Sequence, residues 1–128
     1  MFLCEYRVKH TAPKETWGFF VINNTDYFEA CSGGWGKGAI PYGEYTLSHL
    51  RKLPDTDQYK AFKRDGFPWG ADLTPKFPTD RSALMVHADG NLPGTLGCVG
   101  IIKDDIKCFT LLSKLLVMCE GKVRFLAH

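Results

Sequence analysis

The stretch SALMVHADGNLPGTLGCVGII, residues 82–102, decides how this chain reads. Two short apolar runs, 82–87 and 98–102, flank a segment containing Asp-Gly and Pro-Gly. Apolar runs bounded by turn signals suit buried strands, and those dipeptides mark residues 88–97 as the loop between them. The expectation is an antiparallel pair joined by that loop. His87 closes the first strand and Cys98 opens the second. Directly opposed residues of an antiparallel pair have Cα atoms roughly 4.5–5.5 Å apart. An imidazole and a thiol sharing one face would then reach each other, which is the arrangement a cysteine nucleophile and its base require.

Around this pair the chain reads as mainly β. Upstream, residues 2–8, 16–23, 27–31 and 44–50 carry strand patterns, the second being the richest in aromatic and β-branched residues. A turn is expected at 23–26, a four-glycine loop at 32–38 and another turn at Pro41-Tyr42-Gly43. The glycine loop lacks the strand-GxGxxG-helix context of a nucleotide cradle. Residues 51–80 are polar and contain four prolines, so they read as a long loop insertion with a short helix at 57–64. Downstream, Asp104 or Asp105 starts a helix as an acidic cap. Ile106, Phe109, Leu112, Leu115 and Leu116 form its core stripe, Gly121 ends it, and a strand follows at 122–126.

The bulk properties set limits. A length of 128 residues fits one domain, 1–128. A net charge of +2, with both signs interspersed, gives no argument for nucleic acid. Five scattered cysteines, an odd number without a C-x-x-C pair, argue against a zinc site and for reduced, mostly buried thiols. No metal or other cofactor is called for. The N-terminus has no basic leader before an apolar run, and no apolar stretch reaches the length of a membrane span.

Among the cysteines and histidines, only His87 and Cys98 combine strand ends, a shared loop and a glycine-framed backbone. Gly97 allows close approach to the main chain. The N–H groups of Leu96, Gly97 and Cys98 are candidates for an oxyanion hole, and Thr95 for steadying the turn. Asp89, or a backbone carbonyl of the loop, would orient the His87 ring. The eleven-residue step from His to Cys fits neither the papain-like nor the caspase-type order.

The stretch 86–100 resembles the catalytic motif of the L,D-transpeptidase family, a His followed by a loop and Ser/Thr-His-Gly-Cys; His87, Thr95, Gly97 and Cys98 match. AIPYGEYTL, residues 39–47, matches the family's earlier Thr-Pro-x-Gly-x-Phe/Tyr-x-Ile strand through Pro41, Gly43, Tyr45 and Leu47. Leu96 replaces the second motif histidine, Val99 and Gly100 stand where an Arg or Asn usually follows the Cys, and the loop is short. The pattern is similar to the compact branch that includes secreted antibacterial effectors and phage wall enzymes.

The resemblance implies an L,D-transpeptidase-like β-sandwich or barrel. It implies a cysteine enzyme of peptidoglycan stem peptides, cleaving or exchanging at the bond between the diamino acid and the D-residue through a thioester. Tyr42, Trp35 and Trp69 would line the cleft, and Lys37 or Arg81 would meet a substrate carboxylate. The protein would be a monomer made in the cytoplasm without a signal peptide. It would be delivered to the periplasm or wall by a secretion system or a phage, and an immunity protein is a conceivable partner. Two alternatives stand beside this: a non-catalytic wall-binding or virion module, and a cysteine peptidase or amide-transfer enzyme with another substrate.

Overall fold

A computed structural model describes residues 1–90 and 95–128. Residues 91–94, the middle of the expected 88–97 loop, lie outside the described residues. The strands are β1 (Cys4–Ala12), β2 (Glu15–Ile22), β3 (Asp26–Gly33), β4 (Gly43–Lys52), β5 (Trp69–Pro75), β6 (Met85–Ala88), β7 (Val99–Ile101) and β8 (Lys122–Ala127). A 3-10 helix spans Asp57–Phe62, and α1 spans Asp105–Met118. The strands close into a barrel in the order β1-β2-β3-β7-β6-β5-β4-β8. The mainly β architecture with one late helix is therefore as the sequence indicates.

The alternation of side chains builds the barrel. Phe20 and Phe125 stack inside it with centroids 6.1 Å apart, and Tyr45 meets Phe125 edge-on at 5.8 Å. Two buried phenols satisfy their hydroxyls locally. Tyr6 Oη lies 2.9 Å from Thr16 Oγ1, and Tyr45 Oη donates to the Pro41 carbonyl at 2.7 Å. Buried hydroxyls need such partners, because an unmade hydrogen bond costs about 1–3 kcal/mol.

Helix α1 packs on this core through Cys108, Leu112 and Leu116, spaced to share one helix face. Ile106, Phe109 and Leu115 pack only part-buried at its flanks, so the stripe is rotated from the one the sequence suggests. Asp104 occupies the N-cap position in a left-handed conformation, with no side-chain cap bond. Asp105 is fully buried and accepts a hydrogen bond from Trp69 Nε1 at 3.1 Å, so neither acid caps by its side chain. The helix ends where the Gly121 N–H reaches the Leu116 carbonyl at 2.7 Å, with Glu120 left-handed before it. No helix among the described residues is long and apolar enough to cross a membrane.

Two features differ from the sequence reading. The 51–80 segment is not all loop, since β5 lies within it and pairs with both β4 and β6. Trp69, Ala71 and Leu73 turn inward while Thr74 is exposed, and Pro75 sits at the strand end where its missing N–H does least harm. The second difference concerns β6 and β7, which pair in parallel, with Val86 opposite Val99, His87 opposite Gly100 and Ala88 opposite Ile101. β6 and β7 therefore do not form a hairpin.

Candidate active site

Parallel pairing fixes which side chains meet. Val86, Ala88, Val99 and Ile101 belong to the barrel core. His87, Gly100 and, by extension of the register, Met85 and Cys98 face the other way. Cys98 thus stands beside Met85, two residues down the ladder from His87. A strand spacing of about 4.8 Å and a rise of about 3.3 Å per residue put the two Cα atoms about 8 Å apart on one face. The directly opposed antiparallel geometry is not formed, and among the described residues no hydrogen bond joins His87 to Cys98. Both side chains nevertheless line one cavity of about 490 Å³ on the outer face of the barrel.

His87 is flanked in register by two glycines, Gly70 on β5 and Gly100 on β7. A Cβ at Gly100 would come within 2.9 Å of Asp89 Cβ and 3.0 Å of Thr95 Cγ2, so the bare backbone makes room for the site. His87 Nδ1 lies 2.7 Å from the Ala88 carbonyl. A carbonyl only accepts, so Nδ1 carries the proton and Nε2 is the basic nitrogen of the neutral ring. The orienting group is therefore this backbone carbonyl. The Asp89 carboxylate, nearly fully buried, accepts instead from the Cys31 thiol at 3.3 Å. Burial pushes the His87 imidazole below its ordinary value, against the Ala88 carbonyl and the Asp89 charge.

The Phe62 ring covers the imidazole, stacked at 4.2 Å between centroids. The 3-10 helix that carries it is tied down by the Gly90 N–H, which donates to the Ala61 carbonyl at 2.9 Å. Arg64 Nη1 adds a bond to the Asp89 carbonyl at 3.0 Å. Sequence reading locates a short helix here, but nothing in its own residues says that it lands on His87.

Cys98 is partly exposed into the cavity. Its thiol lies 3.8 Å from the Ala83 carbonyl, and Ala83 itself is left-handed at φ 54°. Burial pushes the thiol up, opposed by a hydrogen bond from the Met85 N–H and by the charge of Arg81. Neutral thiol and neutral imidazole are thus favoured at rest. The competing thiols are worse placed: burial pushes Cys4 up to about 12 and Cys108 well above its ordinary value.

Thr95 anchors the turn before Cys98. Its Oγ1 accepts from the N–H of Gly33 at 3.0 Å and of Gly97 at 3.1 Å, and donates to the Cys98 carbonyl at 2.6 Å. The Gly97 N–H is thereby committed, which leaves those of Leu96 and Cys98 as the oxyanion candidates. Gly97 has φ 131°, and a Cβ there would collide with Arg81 Nη2.

The remaining candidates separate. Trp35 and Leu96 are exposed apolar side chains on the cavity lining, and the Trp35 N–H reaches the Thr95 carbonyl at 3.3 Å. Trp69 is not in the cleft, because it is fully buried in the core against Asp105 and Phe109. Tyr42 is exposed but outside the cavity lining. Lys37 pairs with Asp80 at the surface, 3.2 Å away. Arg81 is not a solvated side chain awaiting a carboxylate, since it donates to the Ala39 carbonyl at 3.1 Å and the Gly38 carbonyl at 2.8 Å.

Comparisons with family models, with curated proteins and with solved structures find no match to this chain.

Proposed function

We propose that this chain is a cysteine acyl-transfer enzyme of bacterial wall peptides with an L,D-transpeptidase-like barrel, acting on the bond between the stem's diamino acid and the following D-residue. The observation that carries the reading is the shared cavity: a partly exposed thiol and a buried imidazole, whose Nε2 has no hydrogen-bond partner among the described residues, line one apolar-walled space. Of the motif residues, His87, Thr95 and Cys98 line it, and Gly97 precedes Cys98 in the turn that Thr95 holds.

In the first step the Cys98 sulfur bonds to the carbonyl carbon, and its proton passes to His87 Nε2, directly or through one water. The N–H groups of Cys98 and Leu96 take the developing oxyanion. The C–N bond then breaks, and the departing amine takes the proton from His87. A thioester remains on Cys98. Water or an acceptor amine, deprotonated by His87, attacks that thioester and releases a shortened stem or an exchanged one. The thiol recovers its proton. Such chemistry places the working protein in the periplasm or wall.

Mass spectrometry of muropeptides incubated with the wild-type protein and with Cys98→Ala tests the reading. Loss or exchange of the terminal D-residue with the wild type only supports it. Unchanged muropeptides with both proteins reject it in favour of a non-catalytic module or another substrate.

A further inference from the structure

Arg81 lies outside the His87–Cys98 pair, yet its guanidinium is held beside the turn that carries the thiol. The side chain crosses from the segment before β6 to the glycine-rich segment after β3, where its two terminal nitrogens bind the carbonyls of Gly38 and Ala39. It passes so close to Gly97 that any side chain there would strike the guanidinium. The same glycine-rich segment meets the Cys98 turn a second time, through the Gly33 and Trp35 bonds to Thr95.

We propose that Arg81 is the positioning residue of this site: its planar fork locks the Gly97–Cys98 turn against the segment 33–39 and fixes a positive charge one residue from the nucleophile. This rests on the acyl-transfer reading. A guanidinium suits both tasks, because it stays protonated and its fork can bridge two acceptors, whereas an ammonium acts as a point charge. The other charged groups around the sulfur are differently employed. His87 holds the Ala88 carbonyl, Asp89 accepts from Cys31, and Lys60 belongs to the 3-10 helix that lines the cavity. Lys37 and Asp80 neutralise each other. Arg81 also opposes the effect of burial on the Cys98 thiol.

The test follows iodoacetamide labelling of Cys98 against pH, read by mass spectrometry of its peptide, beside release of the D-residue from muropeptides. Arg81→Gln should raise the labelling midpoint by about one pH unit and slow labelling about tenfold below both midpoints. Its kcat should fall while KM changes little. Arg81→Lys should keep the midpoint near wild type yet lose part of kcat, and Lys114→Gln, an exposed cation on α1, should leave both unchanged. A folded Arg81→Gln protein with the wild-type midpoint overturns the proposal. Should Arg81→Gln not fold, Arg81→Lys decides: wild-type kcat would reject the clamp. The wild-type protein failing to release any D-residue would refute the wall-peptide reading, while the labelling midpoints would still decide the role of Arg81.

Discussion

The Phe62 ring lies over the His87 imidazole, with centroids 4.2 Å apart and planes only 22° from parallel. This stack joins a helix from the 51–80 segment to the base of the candidate site, and it helps keep that base buried and neutral. Phe62→Ala should admit water to the ring and move the His87 pKa up toward its ordinary value of about 6.5. NMR titration of the His87 ring should show that rise, and the acid limb of the activity profile should move to higher pH with it.

His87 also couples folding to pH. Its folded pKa is depressed, so between that value and the unfolded one the unfolded chain binds more protons. The stability contributed by the neutral ring is complete above about pH 6.5 and is lost as pH falls through the folded value. Urea unfolding from pH 8 downward should show this loss, and His87→Gln should flatten the slope in that window.

Thr95→Val keeps the shape and removes the hydroxyl that serves two N–H donors and the Cys98 carbonyl. With buried groups of Gly33 and Gly97 left unpaired, about 1–3 kcal/mol of stability should be lost. Denaturant unfolding measures this, and activity should fall further than stability because the turn before Cys98 loosens.

Gly100→Ala places a methyl against Asp89 and Thr95. Overpacking of this kind costs about 1–3 kcal/mol. The expected outcome is a lower midpoint in denaturant together with slower turnover, since both neighbours belong to the site.

Much of this was legible in the residues. The four N-terminal strands, helix α1 and β8 follow from alternation, helical spacing and Gly121. The chemistry-bearing pair follows from two apolar runs ending at one glycine-rich loop. Strand β5 was hidden because Gly70, Asp72 and Pro75 lower its strand propensity, and only the pairing with β4 and β6 makes it a strand. The relative direction of β6 and β7 was hidden for a related reason. Ten residues, 89–98, can close a hairpin or return the chain for parallel pairing, and the choice is made by β3 and β5, which hold the outer edges of the two strands. The cover of Phe62 and the clamp of Arg81 depend on contacts 25 and 42 residues apart in sequence. Local spacing does not encode them.

The most direct measurement compares D-residue release by the wild-type protein, Cys98→Ala, His87→Ala and the double variant. If sulfur and imidazole act as one unit, each single change should lower kcat by about a thousandfold or more, and the double variant should be no slower than the worse single one. Wild-type turnover in either single variant would contradict the account.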